Sequence, residues 1–338
     1  MGVTIKDVAK KCGLSITTVS LVLNNKESRI SEKTKRIITE AAQELSYVPN
    51  RFAVGLATKK TLTMGLITFN MKNHYFSTLI QAAEAACSNA GYTFLLENIF
   101  CQSSDSVHTI MQTVLSNVDG LIIDPTFCNQ KFDQELLNII NDTKIPIISL
   151  GPIASQMLPN SIIPDWKRGI YLVTKLLIEQ NHKIIGCVFP EFGVNLSSLL
   201  IEGYKNALED NSIDFTSELI IEEAHFEENS SKMFETFLSH GATAVISYSN
   251  ISAANLYLAA TKAGIKIPDQ LSLACLEDSP FFSCFEPYIS ALSLHMDRVA
   301  RKSIHLIQKL INEEPPLNVS PEMIQPHFFE RSSIIRCQ

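Results

Sequence analysis

Between residues 62 and 277 the chain repeats one pattern: a short apolar run, a stretch of helix length, then another run. The runs are LTMGLITF (62–69), YTFLLEN (92–98), GLIID (120–124), PIISL (146–150), KIIGCVF (183–189), ELII (218–221), TAVISYS (243–249) and LSLACLE (271–277). Most are apolar at consecutive positions rather than at alternate ones, so a strand built from them needs cover on both faces. Strands of that kind, separated by helices, form parallel sheets with helices packed on either side. The body is therefore expected to be α/β with parallel sheets, and such sheets open a cleft at the carboxyl ends of their strands.

The first sixty residues follow a different plan. They carry eleven basic side chains against five acids, an excess of +6, while the remainder holds 17 basic and 30 acidic side chains, a balance of −13. A small basic head on an acidic body points the head, and not the body, toward phosphates. Thr4 and Asp7 suit the start of a first helix that ends at Gly13, where a turn needs a residue tolerant of positive φ. Ser15 begins a second helix running to about Asn24, with Val19, Val22 and Leu23 facing inward. Ser31 begins a third, with Ile37, Ile38, Ala41 and Leu45 as its inner stripe. Two helices joined by a glycine turn and followed by a third make a helix-turn-helix, and a small helical bundle without a ligand is the plainer alternative. The outer face of the second helix carries Ile16, Thr17, Ser20 and Leu21. Such a face is poor in charge because it approaches base edges, while nearby lysines hold phosphates.

Other classes find little support. The 338 residues are 46% hydrophobic and 19% charged, as in ordinary globular proteins. No run approaches the roughly 20 apolar residues of a membrane span, and MGVTIKDVAKKCGLS lacks the apolar core of a secretion signal, so a cytoplasmic protein is expected. The eight cysteines form no CxxC pair, so no metal and no redox centre is expected. P-loop, GxSxG, HExxH and strand-borne GxGxxG motifs are all missing, which leaves neither catalytic residues nor a cofactor to expect.

VTIKDVAKKCGLSITTVSLVLNN (3–25) and SYVPNRFAVGLA (46–57) closely resemble the DNA-binding head and hinge of the lactose-repressor (LacI/GalR) family. The shared residues are Thr4, Asp7, Val8, Ala9, Gly13, Ser15, Thr18, Val19, Ser20 and Asn24, then Tyr47, Pro49, Asn50, Ala53 and Leu56. The resemblance implies a head over 1–48 and a hinge helix and linker over 49–61. It implies DNA contacts from Thr4, Ser15, Ile16, Thr17, Ser20, Leu21, Asn24, Arg29, Asn50, Arg51, Ala53 and Leu56. Leu56 matches the leucine that wedges between central base pairs; wedges of this kind kink DNA by ~20–90°. Gly55 departs from the family's better helix former and is expected to weaken the hinge by up to ~1 kcal/mol. Leu21 stands where arginine is frequent, and leucine meets a thymine methyl rather than guanine.

Further landmarks continue the resemblance through the body: NHYF (73–76), VDGLIIDP (118–125), EGYKNAL (202–208), AGIKIPDQLSLACLED (263–278) and ISALSL (289–294). They imply a periplasmic-binding-protein-like core with an N-lobe over 62–162 and about 290–320. The C-lobe is expected over 163–289 and about 321–338, with PHFFERSS (326–333) as a late strand. Effector contacts carry over to Tyr75, Phe76, Asp124, Asp165, Trp166, Leu200, Ser249, Asn250 and Glu277. Trp166 replaces the amide of an Asp-Asn pair, and two departures matter more: Leu200 replaces a common arginine, and Glu277 replaces the first aspartate of GFDD. Losing the arginine removes a directional donor, so a less polar or cationic ligand suits this set better than a sugar.

The chain is thus expected to be a homodimeric transcriptional regulator, a repressor, on near-palindromic double-stranded DNA, with affinity tuned by a small molecule and no membrane partner. A regulator without a small-molecule effector is the alternative, motivated by Leu200; a free ligand-binding protein lacks both the leader and any use for a basic head. Leu56→Ala is expected to weaken specific operator binding more than non-specific binding in anisotropy titrations. Equal loss on both DNAs contradicts the wedge.

Overall fold

The structure, a computed structural model, describes residues 3–23, 30–47, 60–69, 71, 75–99, 104–126, 134–151, 160–190, 194–222, 226–312 and 321–337. Asn24, Arg29, Asn50, Arg51, Ala53 and Leu56, and the hinge reading over residues 49–59, lie outside the described residues. The chain divides at Leu62 into two compact units.

In the first unit, α1 (Ile5–Cys12), α2 (Ile16–Leu23) and α3 (Glu32–Glu44) each start at a residue able to satisfy first-turn amides. Asp7 Oδ2 accepts from both the Thr4 N–H (2.8 Å) and the Thr4 hydroxyl (2.7 Å). Ser15 Oγ accepts from the Thr18 N–H, and Ser31 Oγ from the Thr34 N–H. Gly13 ends α1 at φ 67°, which a glycine adopts without strain. Val8, Ala9, Val19, Ile38, Ala41 and Ala42 form the core, with Val22, Leu23 and Leu45 packed against it. Ile37, expected inside, is 43% exposed. The inner stripe of α3 runs through Ile38, Ala41, Ala42 and Leu45, so its centre lies one position further along than the apolar pair Ile37–Ile38 suggests.

The second unit holds two sheets. The N-lobe sheet is β1 (Thr63–Phe69), β2 (Thr93–Ile99), β3 (Gly120–Asp124) and β4 (Ile147–Ser149), all parallel in the order β2-β1-β3-β4. Helices α4 (Tyr75–Asn89), α5 (Ser104–Leu115) and α6 (Gln134–Asp142) alternate with these strands. The short β5 (Ile162–Pro164) leads into α7 (Trp166–Glu179).

The C-lobe then adds β6 (Ile185–Phe189), α8 (Val194–Glu209), β7 (Ile220–Glu222), α9 (Phe226–Ser239), β8 (Ala244–Ser247), α10 (Asn250–Lys262), β9 (Ser272–Cys275) and β10 (Ser290–Ser293). After β10 come α11 (Met296–Asn312), β11 (Glu322–Ile324) and β12 (His327–Phe329). The C-lobe sheet runs β12-β10-β9-β8-β6-β7, parallel except at the edge strand β12, which is antiparallel to β10. Residues 290–293 belong to this sheet. The crossing back toward the N-lobe therefore falls at 294–296 rather than at about 290, and α11 packs on α4, β3, β4 and β5. β11 pairs in parallel with β5, so two crossings of the chain between lobes are hydrogen-bonded to each other.

One apolar cluster runs through both lobes, from Met64, Leu66 and Ile122 to Trp166, Ile185 and Ile246. Tight packing within it depends on glycine at one helix contact. A Cβ on Gly203 of α8 would lie 2.4 Å from the Lys167 carbonyl oxygen and 2.6 Å from Ile170 Cγ2 of α7. Because the nearer obstacle is backbone, the helices must separate to admit even a methyl group. Gly203→Ala is expected to destabilise the core by ~1–3 kcal/mol in urea denaturation, the range for overpacking; unchanged stability contradicts this contact.

Candidate functional site

Two regions carry functional chemistry, one in each unit. On the head, Ile16 at 46% exposure and Thr17 stand on the outer face of α2, with Ser20 and Leu21 half-buried beside them. Val19 points the other way, into the core. The expected readers therefore share one outward surface, and that surface carries no charge. Thr4 and Ser15 occupy the N-terminal ends of α1 and α2, where amides and the helix dipole favour a phosphate. Lys35 pairs with Glu32 (2.6 Å), Arg36 with Glu40 (3.1 Å) and Lys11 with Glu44. These exposed pairs are weak, so their cations exchange readily for phosphate.

In the core, the carboxyl ends of the strands meet at a run of aromatic rings. Tyr75 opens α4, Trp166 opens α7, and Tyr248 follows β8. The Tyr75 and Trp166 rings lie 6.0 Å apart at 31°, and Trp166 and Tyr248 lie 5.7 Å apart at 33°. All three are buried, and they join the two lobes through ring faces. Phe76 stands edge-on to Tyr75 at 5.1 Å and packs into the apolar cluster.

Asp124 ends β3 against this stack and is 0% exposed. Its Oδ1 accepts from the Thr126 N–H at 3.0 Å, and the Tyr75 phenol stands near the carboxylate. Burial raises the pKa of Asp124, while the hydrogen bonds from Thr126 and Tyr75 pull it back down. Burial, then the Asp124 charge, push the Tyr75 phenol well above its usual range.

Glu277 is buried at the end of the chain segment that follows β9, and the Asn250 N–H lies 3.5 Å from its Oε2. Asn250 Nδ2 reaches Ser279 Oγ at 3.5 Å. Ser249 caps α10, its Oγ accepting from the Ser252 N–H at 3.1 Å. Asp165 caps α7: its Oδ1 accepts from the Arg168 N–H (2.9 Å) and its Oδ2 from Gln325 Nε2 (3.2 Å). Both oxygens are therefore engaged within the chain, tying α7 to the β11 crossing. Leu200 is fully buried in the apolar cluster with Leu196, Tyr204 and Phe189, so the position brings no polar group to the site.

Geometry thus gathers Tyr75, Asp124 and Trp166 closely, and sets Ser249, Asn250 and Glu277 together at the ends of β8 and β9. Sequence reasoning missed Thr126 and Tyr248. Both follow the carboxyl end of a strand, Tyr248 one residue before the Ser249–Asn250 pair, and that position was the available signal. Among the described residues no three His, Cys, Asp or Glu side chains gather as a metal site, and no helix is long and apolar enough to cross a membrane.

Residues 4–50 match the family described as bacterial regulatory proteins, lacI family, and residues 174–334 match the periplasmic binding protein-like domain. Catabolite control protein A of Staphylococcus epidermidis is 26% identical over 330 residues, covering 98% of each chain. The HTH-type transcriptional repressor PurR of Serratia proteamaculans is 29% identical over 336 residues, covering 98% of this chain and 96% of that one. The lac repressor dimer bound to operator and the anti-inducer ONPF superposes with a TM-score of 0.82 at 23% identity, covering 99% of this chain and 100% of that one. With a head of the first kind, a core of the second and relatives aligned along the full length, the chain belongs to the LacI family of bacterial DNA-binding transcriptional regulators.

Proposed function

We propose that the protein is a homodimeric repressor of a near-palindromic double-stranded operator, with operator affinity set by a small molecule held between the lobes. The observation that carries the effector part is the buried ring stack with Asp124 at its side. Both lobes contribute to one polar, aromatic site, so a molecule bound there touches each lobe and biases their arrangement. Coupling of this kind is worth ~1–3 kcal/mol between effector and DNA.

Dimerisation follows from the head's task, since two-fold protein symmetry matches two half-sites. An apolar surface supports it. Ile251 and Leu258 lie seven residues apart on one face of α10, 45% and 49% exposed, and Phe281 is 64% exposed. A second copy of the chain is the partner such a face suits.

On the DNA, α2 enters the major groove and presents Ile16, Thr17, Ser20 and Leu21 to base edges, while the segment over residues 49–59 meets the operator centre. Selection of bound duplexes from a random pool is expected to return an inverted repeat; a featureless or one-sided pool contradicts the dimeric reading. Repeating the selection with Leu21→Arg is expected to recruit guanine at one position of each half-site, by ~1–3 kcal/mol of discrimination. An unchanged preference removes Leu21 from the readers.

A further inference from the structure

We infer that the interlobe site binds an organic cation: a small molecule carrying an ammonium group and a nearby hydroxyl or ether oxygen. This rests on the effector reading above and names its chemical class.

Three observations converge. First, Asp124 is wholly buried, and among the described residues no ion pair reaches it. The basic side chains that open α7 are engaged elsewhere, Lys167 with Glu202 and Arg168 over the Tyr171 ring at 5.1 Å. A buried carboxylate in apolar surroundings is costly unless a cation meets it, and its raised pKa records that cost.

Second, Tyr75 stands near Asp124, and its ring leads through Trp166 to Tyr248 in one run of aromatic faces. A cation within about 6 Å of such a ring is drawn to its negative face, most strongly where water is excluded. Ring faces and a carboxylate together favour an alkylated ammonium over a neutral polyol. A polyol would instead ask for several directional donors, and Leu200 supplies none.

Third, the buried polar atoms at the site without a hydrogen-bond partner among the described residues include Trp166 Nε1 and Asn250 Oδ1. The indole N–H can only donate, so it requires an acceptor on the ligand, met by a hydroxyl or ether oxygen. Asn250 Oδ1 can only accept, so it takes the hydroxyl hydrogen or an ammonium N–H. A purely hydrocarbon cation would leave both unsatisfied.

Calorimetric titration of the full chain tests the class with matched probes: choline against its neutral carbon isostere 3,3-dimethyl-1-butanol, and glucosamine against glucose. Choline or glucosamine is expected to bind, with the neutral partner at least roughly tenfold weaker. Asp124→Asn is expected to weaken the cation by roughly thirtyfold, as loss of one partner of a buried charge pair does. Trp166→Phe keeps a ring in the stack and removes only the N–H, and is expected to weaken binding by roughly fivefold. If Asp124→Asn melts without probe far below the parent, the wild-type probe pairs and Trp166→Phe still decide. Binding of a neutral probe equal to or tighter than its cation overturns the assignment and leaves an effector site standing. Silence from all four probes overturns the cation class and counts against a small-molecule effector altogether.

Discussion

The stack of Tyr75, Trp166 and Tyr248 is the contact on which the arrangement of the core rests. Each sheet has its own helices and could bury its own strands, yet the apolar cluster does not stop at the lobe boundary; it passes through these rings. Aromatic pairs add ~0.5–1.5 kcal/mol each beyond the area they bury, so two such contacts rival the coupling energy of an effector. The ring contacts between the lobes are therefore of a size that a ligand's differential affinity can redistribute. Asp124 sharpens this balance. Keeping a carboxylate out of water beside the rings costs free energy in the unliganded core, and that cost is what a suitable ligand recovers.

Crossings of the chain between lobes limit how the core can rearrange. Asp165 caps α7 and binds Gln325, and β5 pairs with β11, so two crossings move as one piece. The third enters α11, which packs across β3, β4 and β5. The head follows different physics. Its core is six small or branched side chains, and its helices depend on caps such as Asp7, whose carboxylate is held below its usual pKa chiefly by the Thr4 backbone N–H. The stability carried by that cap is present above the ordinary carboxylate pKa and is lost as pH falls through the lowered one.

What was legible in the sequence divides by length and by partner. Runs such as GLIID and KIIGCVF declare buried strands because apolar residues stand at consecutive positions, and the strands within them, Gly120–Asp124 and Ile185–Phe189, are buried along their length. β5, β10 and β11 span only three or four residues and carry no period to detect; their pairing is decided by what crosses beside them. The head's second helix is readable from spacing, whereas the expected stripe of α3 includes the exposed Ile37 and passes over the buried Ala42, because hydrophobicity does not reveal where a stripe is centred. At the site, Tyr75, Asp124 and Trp166 were named from residue pattern and resemblance. Thr126 and Tyr248 required the fold, which brings the Thr126 N–H to Asp124 and the Tyr248 ring to Trp166. Asp165 shows the converse: a residue expected to meet the effector whose oxygens accept from the Arg168 N–H and the Gln325 side chain.

Trp166 is the chain's single tryptophan, so its emission reports on the interlobe stack alone. The most direct test of the account is Trp166 fluorescence, excited at the red edge of absorption, while the full chain is saturated with a selected operator duplex. Because coupling between two sites is reciprocal, operator that favours one lobe arrangement must shift the emission, and a non-specific duplex of equal length must not. Emission that is the same with and without saturating operator contradicts the claim that the ring stack is where the core registers the state of the DNA-binding head.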